Sequence, residues 1–276
     1  MKQRIINICL LIFLTMTMMA QEEEENVNSF GLSWGMGNIM RQDLSVSPFV
    51  HKDWSPINVR LVYERSKKLE QQASLKFGSY SPRVGEEFKF NSFYNGEEIA
   101  YPHYFTMIDI NYALGFSVVE KEKFKFVLGG KSKNKFYAST YNFGPSGPSP
   151  LFIAFGLDIW MNLQYDLNEK HHFKSNVSIP LFAYIYRDPY LTQDDEFFEN
   201  LYSHKGLKEL GDRIKDGQLQ SWGSSQSLDF DISYDYSLNE KWDIGCKYLL
   251  SMNFNQSPTK YSSIENVIYI SGTFKF

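Results

Sequence analysis

The chain has few cysteines and no second long apolar run. Of its two cysteines, Cys9 lies in an N-terminal apolar segment that we expect to be removed, so Cys246 has no partner and the mature chain cannot form an internal disulfide. After that segment no stretch reaches the roughly 18 apolar residues that a membrane helix needs. The net charge of −4 becomes more negative when Lys2 and Arg4 are removed, so a nucleic-acid partner is not expected.

The first twenty residues are typical of a secretory signal peptide. Lys2 and Arg4 form the positive end, residues 5–19 form the apolar segment, and Ala20 provides a small residue before the cut. The sequence therefore predicts a signal peptide over 1–20 and a secreted mature chain over 21–276.

Strict alternation of apolar and polar residues is the dominant pattern of the mature chain. Residues 151–167 (LFIAFGLDIWMNLQYDL) are apolar at every second position. A period of two indicates a β-strand with one apolar and one polar face. The stretch is much longer than the usual strand of about 5–6 residues, which suits the wall of a membrane barrel.

The same alternation recurs in ten segments. They are 29–40, 57–63, 73–80, 104–118, 124–140, 151–167, 173–187, 227–238, 242–254 and 261–276. Long connections over 41–55, 81–103, 142–150, 188–222 and 255–260 alternate with tight turns. This asymmetry predicts an all-β fold, a transmembrane antiparallel β-barrel of about ten strands with short periplasmic turns and long extracellular loops.

Alternation alone leaves two orientations of the apolar face open. A soluble, lipocalin-like barrel would turn it inwards, and a membrane barrel would turn it towards lipid. The polar face is rich in Gly, Ser, Asn and Asp, which suits a crowded wet lumen. Aromatic residues gather on the apolar face near the tight turns, as at a membrane interface: Phe124, Tyr165, Phe173, Tyr236, Trp242 and Phe276. We therefore expect the apolar face to contact lipid.

A signal peptide, ten alternating strands and a last strand ending on Phe274 and Phe276 resemble the Gram-negative outer-membrane β-barrel proteins, a superfamily that includes small porin-like barrels. The resemblance covers nearly all of the mature chain and indicates no subfamily. It implies an integral protein of the bacterial outer membrane that contacts outer-membrane lipid. It also implies that Phe274 and Phe276 form part of the signal read by the barrel-assembly machinery.

Charged residues on the polar face should line the lumen. Those with the clearest positions are Arg60, Glu64, Lys76, Asp109, Asp158, Asp229, Asp231, Lys247 and Glu265. Buried charges must pair or contact water, and the interior of a small barrel is just wide enough to be filled by side chains. We therefore favour a plug of paired charges over a conducting pore. If a pore exists, the excess of acids predicts a preference for cations.

The segment 188–222 interrupts the alternation and is expected to be a long extracellular loop. Apolar residues at helical spacing predict one or two short amphipathic helices, although a solvated charged loop remains an alternative. Its aromatic residues are candidates for docking a protein or ligand: Tyr190, Phe197, Phe198, Tyr202 and Trp222.

An enzyme remains the alternative to a structural or binding barrel. His51, His103 and His204 fall in or beside the predicted extracellular loops, where omptin-like proteases and lipid A deacylase-like barrels carry their catalytic histidines. No Asp-x-His or His-x-Ser pair accompanies them, so solvated loop histidines are the preferred interpretation. The sequence predicts no cofactor and no metal site, because it has no phosphate-binding glycine loop, no cysteine pairs and no serine-hydrolase elbow.

Overall fold

The computed structural model describes residues 27–67, 69–82, 88–92, 96–100, 103–141, 150–188 and 207–276. It contains thirteen strands and one helix, α1 (Leu207–Lys215). The strands are β1 (Val27–Asp43), β2 (Ser47–Ser66), β3 (Leu69–Pro82), β4 (Phe88–Ser92), β5 (Gly96–Ala100), β6 (Tyr104–Lys121), β7 (Phe124–Thr140), β8 (Leu151–Asn168), β9 (His171–Arg187), β10 (Gln218–Ser221), β11 (Ser225–Ser237), β12 (Trp242–Asn255) and β13 (Tyr261–Lys275).

Ten of these strands form a closed antiparallel barrel. Each long strand pairs with the next long strand along the chain, and β1 pairs with β13 to close the sheet. Reciprocal backbone bonds join Asn28 and Phe276 at the seam, from Asn28 N to Phe276 O (3.1 Å) and from Phe276 N to Asn28 O (2.9 Å). The predicted all-β barrel of about ten strands is confirmed. Of the remaining strands, β10 adds to β9, and β4 and β5 form a separate hairpin.

The apolar face of the barrel points outwards. On β13, Ile268 and Ile270 are 66% and 69% exposed. Val267 and Tyr269, which alternate with them along the strand, are fully buried. The same alternation exposes Phe30, Leu32 and other large apolar side chains of β1. A soluble barrel would bury these side chains, so the lipocalin-like orientation is excluded.

Two local predictions are wrong. Residues 41–55 are not a long loop, because β1 continues to Asp43, β2 begins at Ser47 and a three-residue turn joins them. The alternation over 173–187 also predicts that Ala183 and Ile185 lie on the outer apolar face, and they do not. The pairing of β9 with β8 shifts at Leu181, and this extra residue reverses the alternation so that Ile185 packs into the interior.

The connection after β9 contains α1, a helix in the later part of the segment for which the helical spacing predicts one or two short amphipathic helices. The first, around Phe197 and Leu201, lies outside the described residues. In the described ranges no helix is long and apolar enough to cross a membrane.

Candidate functional site

The middle of the barrel interior is crossed by a network of charged and hydroxyl groups. Lys76 on β3 donates to Glu265 on β13 (2.5 Å) and forms an ion pair with Asp109 on β6 (3.0 Å). The hydroxyl of Tyr80 also donates to Glu265 (2.6 Å), and that of Tyr137 donates to Asp109 (2.8 Å). These contacts join four strands through side chains that are almost completely buried.

Three further ion pairs join β2, β7, β8 and β11. Arg60 Nη1 on β2 contacts Asp231 Oδ2 on β11 at 3.1 Å, and Asp231 also accepts a bond from Asn176 Nδ2 on β9 (2.8 Å). Lys133 on β7 contacts Asp229 on β11 (2.7 Å) and Asp158 on β8 (3.4 Å). We call these residues, with those of the preceding paragraph, the central network. Buried groups paired in this way leave the described interior at this level filled by side chains.

The outer end, which is opposite the chain termini, is filled by arginines and aromatic rings. Arg187 on β9 donates to Asp43 on β1 (2.8 Å) and to Asn255 on β12 (2.8 Å). The guanidinium of Arg41 lies 4.6 Å from the ring centre of Phe105, a distance typical of cation–π contact. Just beyond the end of β7, burial raises the pKa of Tyr141 to about 12, so this phenol stays protonated at neutral pH.

The inner end contains a polar cavity of about 720 Å³. Glu64 and Lys174 lie on its wall and form an ion pair of 2.9 Å, and Lys247 and Asp235 also line it. The side chains of Lys174 and Glu64 are 32% and 27% exposed, in contrast to the buried central network. The barrel is therefore open to water on the side of the short turns and filled above it.

The nine predicted lumen residues do not share one site. Seven belong to the central network, whereas Glu64 and Lys247 line the inner cavity. The sequence analysis missed several cations, which are Arg41, Lys131, Lys133, Lys135 and Arg187, all of them buried. Lys131, Lys133 and Lys135 lie an even number of residues after Lys125 on β7, so alternation along the strand predicts that all four side chains face the same way. The sequence therefore contained a usable signal for these buried lysines. With these cations included, the excess of acids in the described interior largely disappears.

Two of the loop histidines lie together at the outer end. His103 Nε2 is 2.8 Å from Asp53 Oδ1, His51 Nε2 is 3.1 Å from Ser47 Oγ, and the two imidazole rings are 4.4 Å apart. Sequence proximity did not reveal this grouping, because Asp53 lies on β2 and His103 directly precedes β6, 50 residues later. Ser47 is 1% exposed and therefore has no access to a substrate as a nucleophile. His204 lies outside the described residues.

Other predicted site residues have separate positions. Tyr190, Phe197, Phe198 and Tyr202 lie outside the described residues. Trp222 is on the outer wall, and its indole nitrogen donates to the carbonyl of Pro180 (2.7 Å). Phe274 packs against Trp242 with 5.0 Å between ring centres and stacks on Phe276 at 5.8 Å, so the last strand ends in an aromatic group at the inner end.

Comparisons with solved structures found only distant similarities. The chain is similar to the outer-membrane protease OmpT from Escherichia coli, with 7% identity over 93% of this chain and 99% of that chain and a TM-score of 0.49. It is also similar to Neisserial surface protein A, with 8% identity over 92% and 100% of the two chains and a TM-score of 0.36. The fold itself, a closed ten-stranded antiparallel β-barrel, is shown by the strand pairing of the chain. No family model and no curated protein matches the sequence, and these low similarities assign no activity to the barrel.

Proposed function

We propose that the protein is an integral barrel of the bacterial outer membrane whose lumen is closed and which has a structural or binding role. The central network supports a closed lumen, because its ion pairs connect strands from opposite walls. The exposed apolar face supports contact with outer-membrane lipid. The aromatic end of β13 is consistent with recognition by the barrel-assembly machinery, and a protein or ligand would approach the outer end.

A narrow passage that prefers cations is the second candidate within this proposal. The inner end contains a polar cavity, so such a passage requires both the central network and the filled outer end to open. The negative groups nearest to such a passage are Asp229 and Asp231, which are paired in the closed barrel.

Single-channel conductance of the refolded mature protein in a planar bilayer tests the closed lumen. We expect a folded barrel without discrete current steps. The double variant Arg60→Ala, Lys76→Ala should also remain silent, because the arginines and aromatic rings of the outer end still fill the lumen. The unaltered protein could instead show cation-selective current steps whose size decreases when Asp229 and Asp231 are replaced by Asn. That result would refute the closed lumen and support the passage.

A surface hydrolase is less well supported. The Asp53–His103 and Ser47–His51 contacts resemble parts of a catalytic arrangement, but neither His51 nor His103 contacts both an acid and a serine, and Ser47 is buried. Single replacements of His51, His103 and His204 by Ala test this alternative. Retention of any detected hydrolysis by all three variants would exclude it.

A further inference from the structure

The barrel wall is interrupted between β9 and β11. Their pairing ends at Ser178 opposite Asp229, and β9 resumes pairing only at Phe182, opposite Ser221 of β10. In the described part of the chain, residues 179–181 of β9 pair with neither β10 nor β11 on the edge of β9 that faces away from β8. Pro180 in this interval has no N–H to donate, so its position suits a break in the ladder.

A small cavity passes through this break. It has a volume of about 30 Å³ and is lined both by interior residues, such as Lys135 and Ala154, and by outward-facing residues, such as Phe182 and Phe254. Its outer mouth lies on the lipid-facing surface. Beside the break, Leu219 and Trp222 are 70% and 60% exposed. The break thus connects the apolar exterior to the charged interior without passing along the barrel axis.

The inner end of the cavity has a cation without an acidic partner. Lys135 is 4% exposed, donates to the side-chain carbonyl of Asn253 and lies 5.7 Å from the ring centre of Tyr137. Among the described residues no carboxylate forms an ion pair with it, whereas Lys133 beside it pairs with Asp229 and Asp158. A buried cation is stabilised when an anion approaches it, so this end of the cavity favours a negatively charged group.

Trp222 closes the break from outside. Its indole N–H reaches the Pro180 carbonyl at 2.7 Å, and the following residue, Gly223, has a φ of +98° that other residues rarely adopt. The present volume holds about one water molecule. A larger guest therefore requires this single hydrogen bond to open, with no change in the central network.

We propose that the break between β9 and β11 is a lateral binding site for a single-chain amphiphile with a carboxylate head, which enters from the outer leaflet. The carboxylate pairs with Lys135, and the chain extends between Phe182 and Phe254 into the lipid. This site rests on the membrane placement proposed above but does not require an open lumen.

Photolabelling in lipid tests the site. The mature protein in phosphatidylcholine nanodiscs is exposed to palmitic acid that carries a terminal diazirine, and labelled peptides are identified by mass spectrometry. Because the tail extends into the lipid, a second probe that carries the diazirine beside the carboxylate reports on the break itself. With this probe we expect saturable labelling within 178–182 and 225–228, suppressed by excess palmitate but not by methyl palmitate, whose head is neutral. Lys135→Met should weaken labelling about tenfold or more, the value of one charged hydrogen bond. Lys247→Met, which removes a lysine from the inner cavity, is the matched control.

Each result separates the alternatives. Ala154→Leu fills the cavity without altering any charge and should also abolish labelling. Because it leaves Lys135 in place, it tests the site even if Lys135→Met fails to fold. Equal labelling by acid and ester, or an undiminished signal in both variants, would overturn the site. Protection by millimolar phosphate as strong as that by palmitate would replace the amphiphile with a small anion. A folded, heat-modifiable barrel without specific labelling refutes only this inference, whereas failure to insert into lipid refutes the proposed function as well.

Discussion

The buried pair between Arg60 and Asp231 gives the sharpest test of a dry central interior. Their side chains are 6% and 7% exposed, and the atoms Nη1 and Oδ2 are 3.1 Å apart. Arg60→Met removes the cation but retains much of the apolar volume. Asp231 would then keep only its bond from Asn176. Removing one partner of a buried ion pair costs about 3–5 kcal/mol, because the remaining charge stays buried.

The pair between Lys174 and Glu64 is the matched control. Its 2.9 Å contact is as short, but both side chains face the inner cavity and are about one-third exposed. Water can solvate Glu64 after Lys174→Met, so the expected loss is about 0–1 kcal/mol. The double variant Arg60→Met, Asp231→Leu should recover most of the stability lost by Arg60→Met, since no unpaired charge remains.

Guanidinium unfolding in lipid vesicles, followed by tryptophan fluorescence, measures these differences in the free energy of unfolding. A clear gap between Arg60→Met and Lys174→Met supports a dry middle and a wet inner end. Losses below about 1 kcal/mol for both variants would show that water reaches the central network. The closed lumen would then be refuted by the same measurement.

Three further substitutions test the membrane face, the last strand and the outer end. Ile268→Lys, at the middle of β13, should lower the free energy of unfolding in vesicles by about 2–4 kcal/mol. Leu238→Lys, in an inner turn, should lower it by about 0–1 kcal/mol, and equal losses would argue against a lipid-facing belt. Phe276→Ala should refold normally in vitro but insert poorly in cells, with recovery by Phe276→Tyr; normal insertion would remove its role in assembly. His103→Gln should lower stability by about 1–3 kcal/mol, because Asp53 loses a buried partner, and a thermal melt that matches the parent would contradict this.

Strand parity predicted the barrel but not its irregularities. A period of two over ten segments determines which side chains face lipid, and one extra residue at Leu181 reverses that assignment for Ala183 and Ile185. Pro180 was a usable signal, because proline inside a central strand indicates a bulge or a break in pairing. In 41–55, Pro48 and the polar residues around it suggested a loop. The strands instead continue because Arg41 and Asp43 face inwards and contact buried partners, a polar alternation that hydropathy does not detect.

The central network closes the lumen along the barrel axis, and the wall break is a separate opening through the side of the barrel. Each should therefore respond to mutation without affecting the other. The network joins β2, β7 and β8 to β11 and joins β3 to β6 and β13 through interior side chains, so it resists separation along the lumen. The break is spanned by one bond from Trp222 to Pro180, on the outer side of the same wall. Trp222→Ala should therefore accelerate exchange of the labelled acid and leave the bilayer current silent. Current steps in this variant would mean that the break is connected to a conducting lumen. The closed lumen and the lateral binding site could then no longer be tested separately.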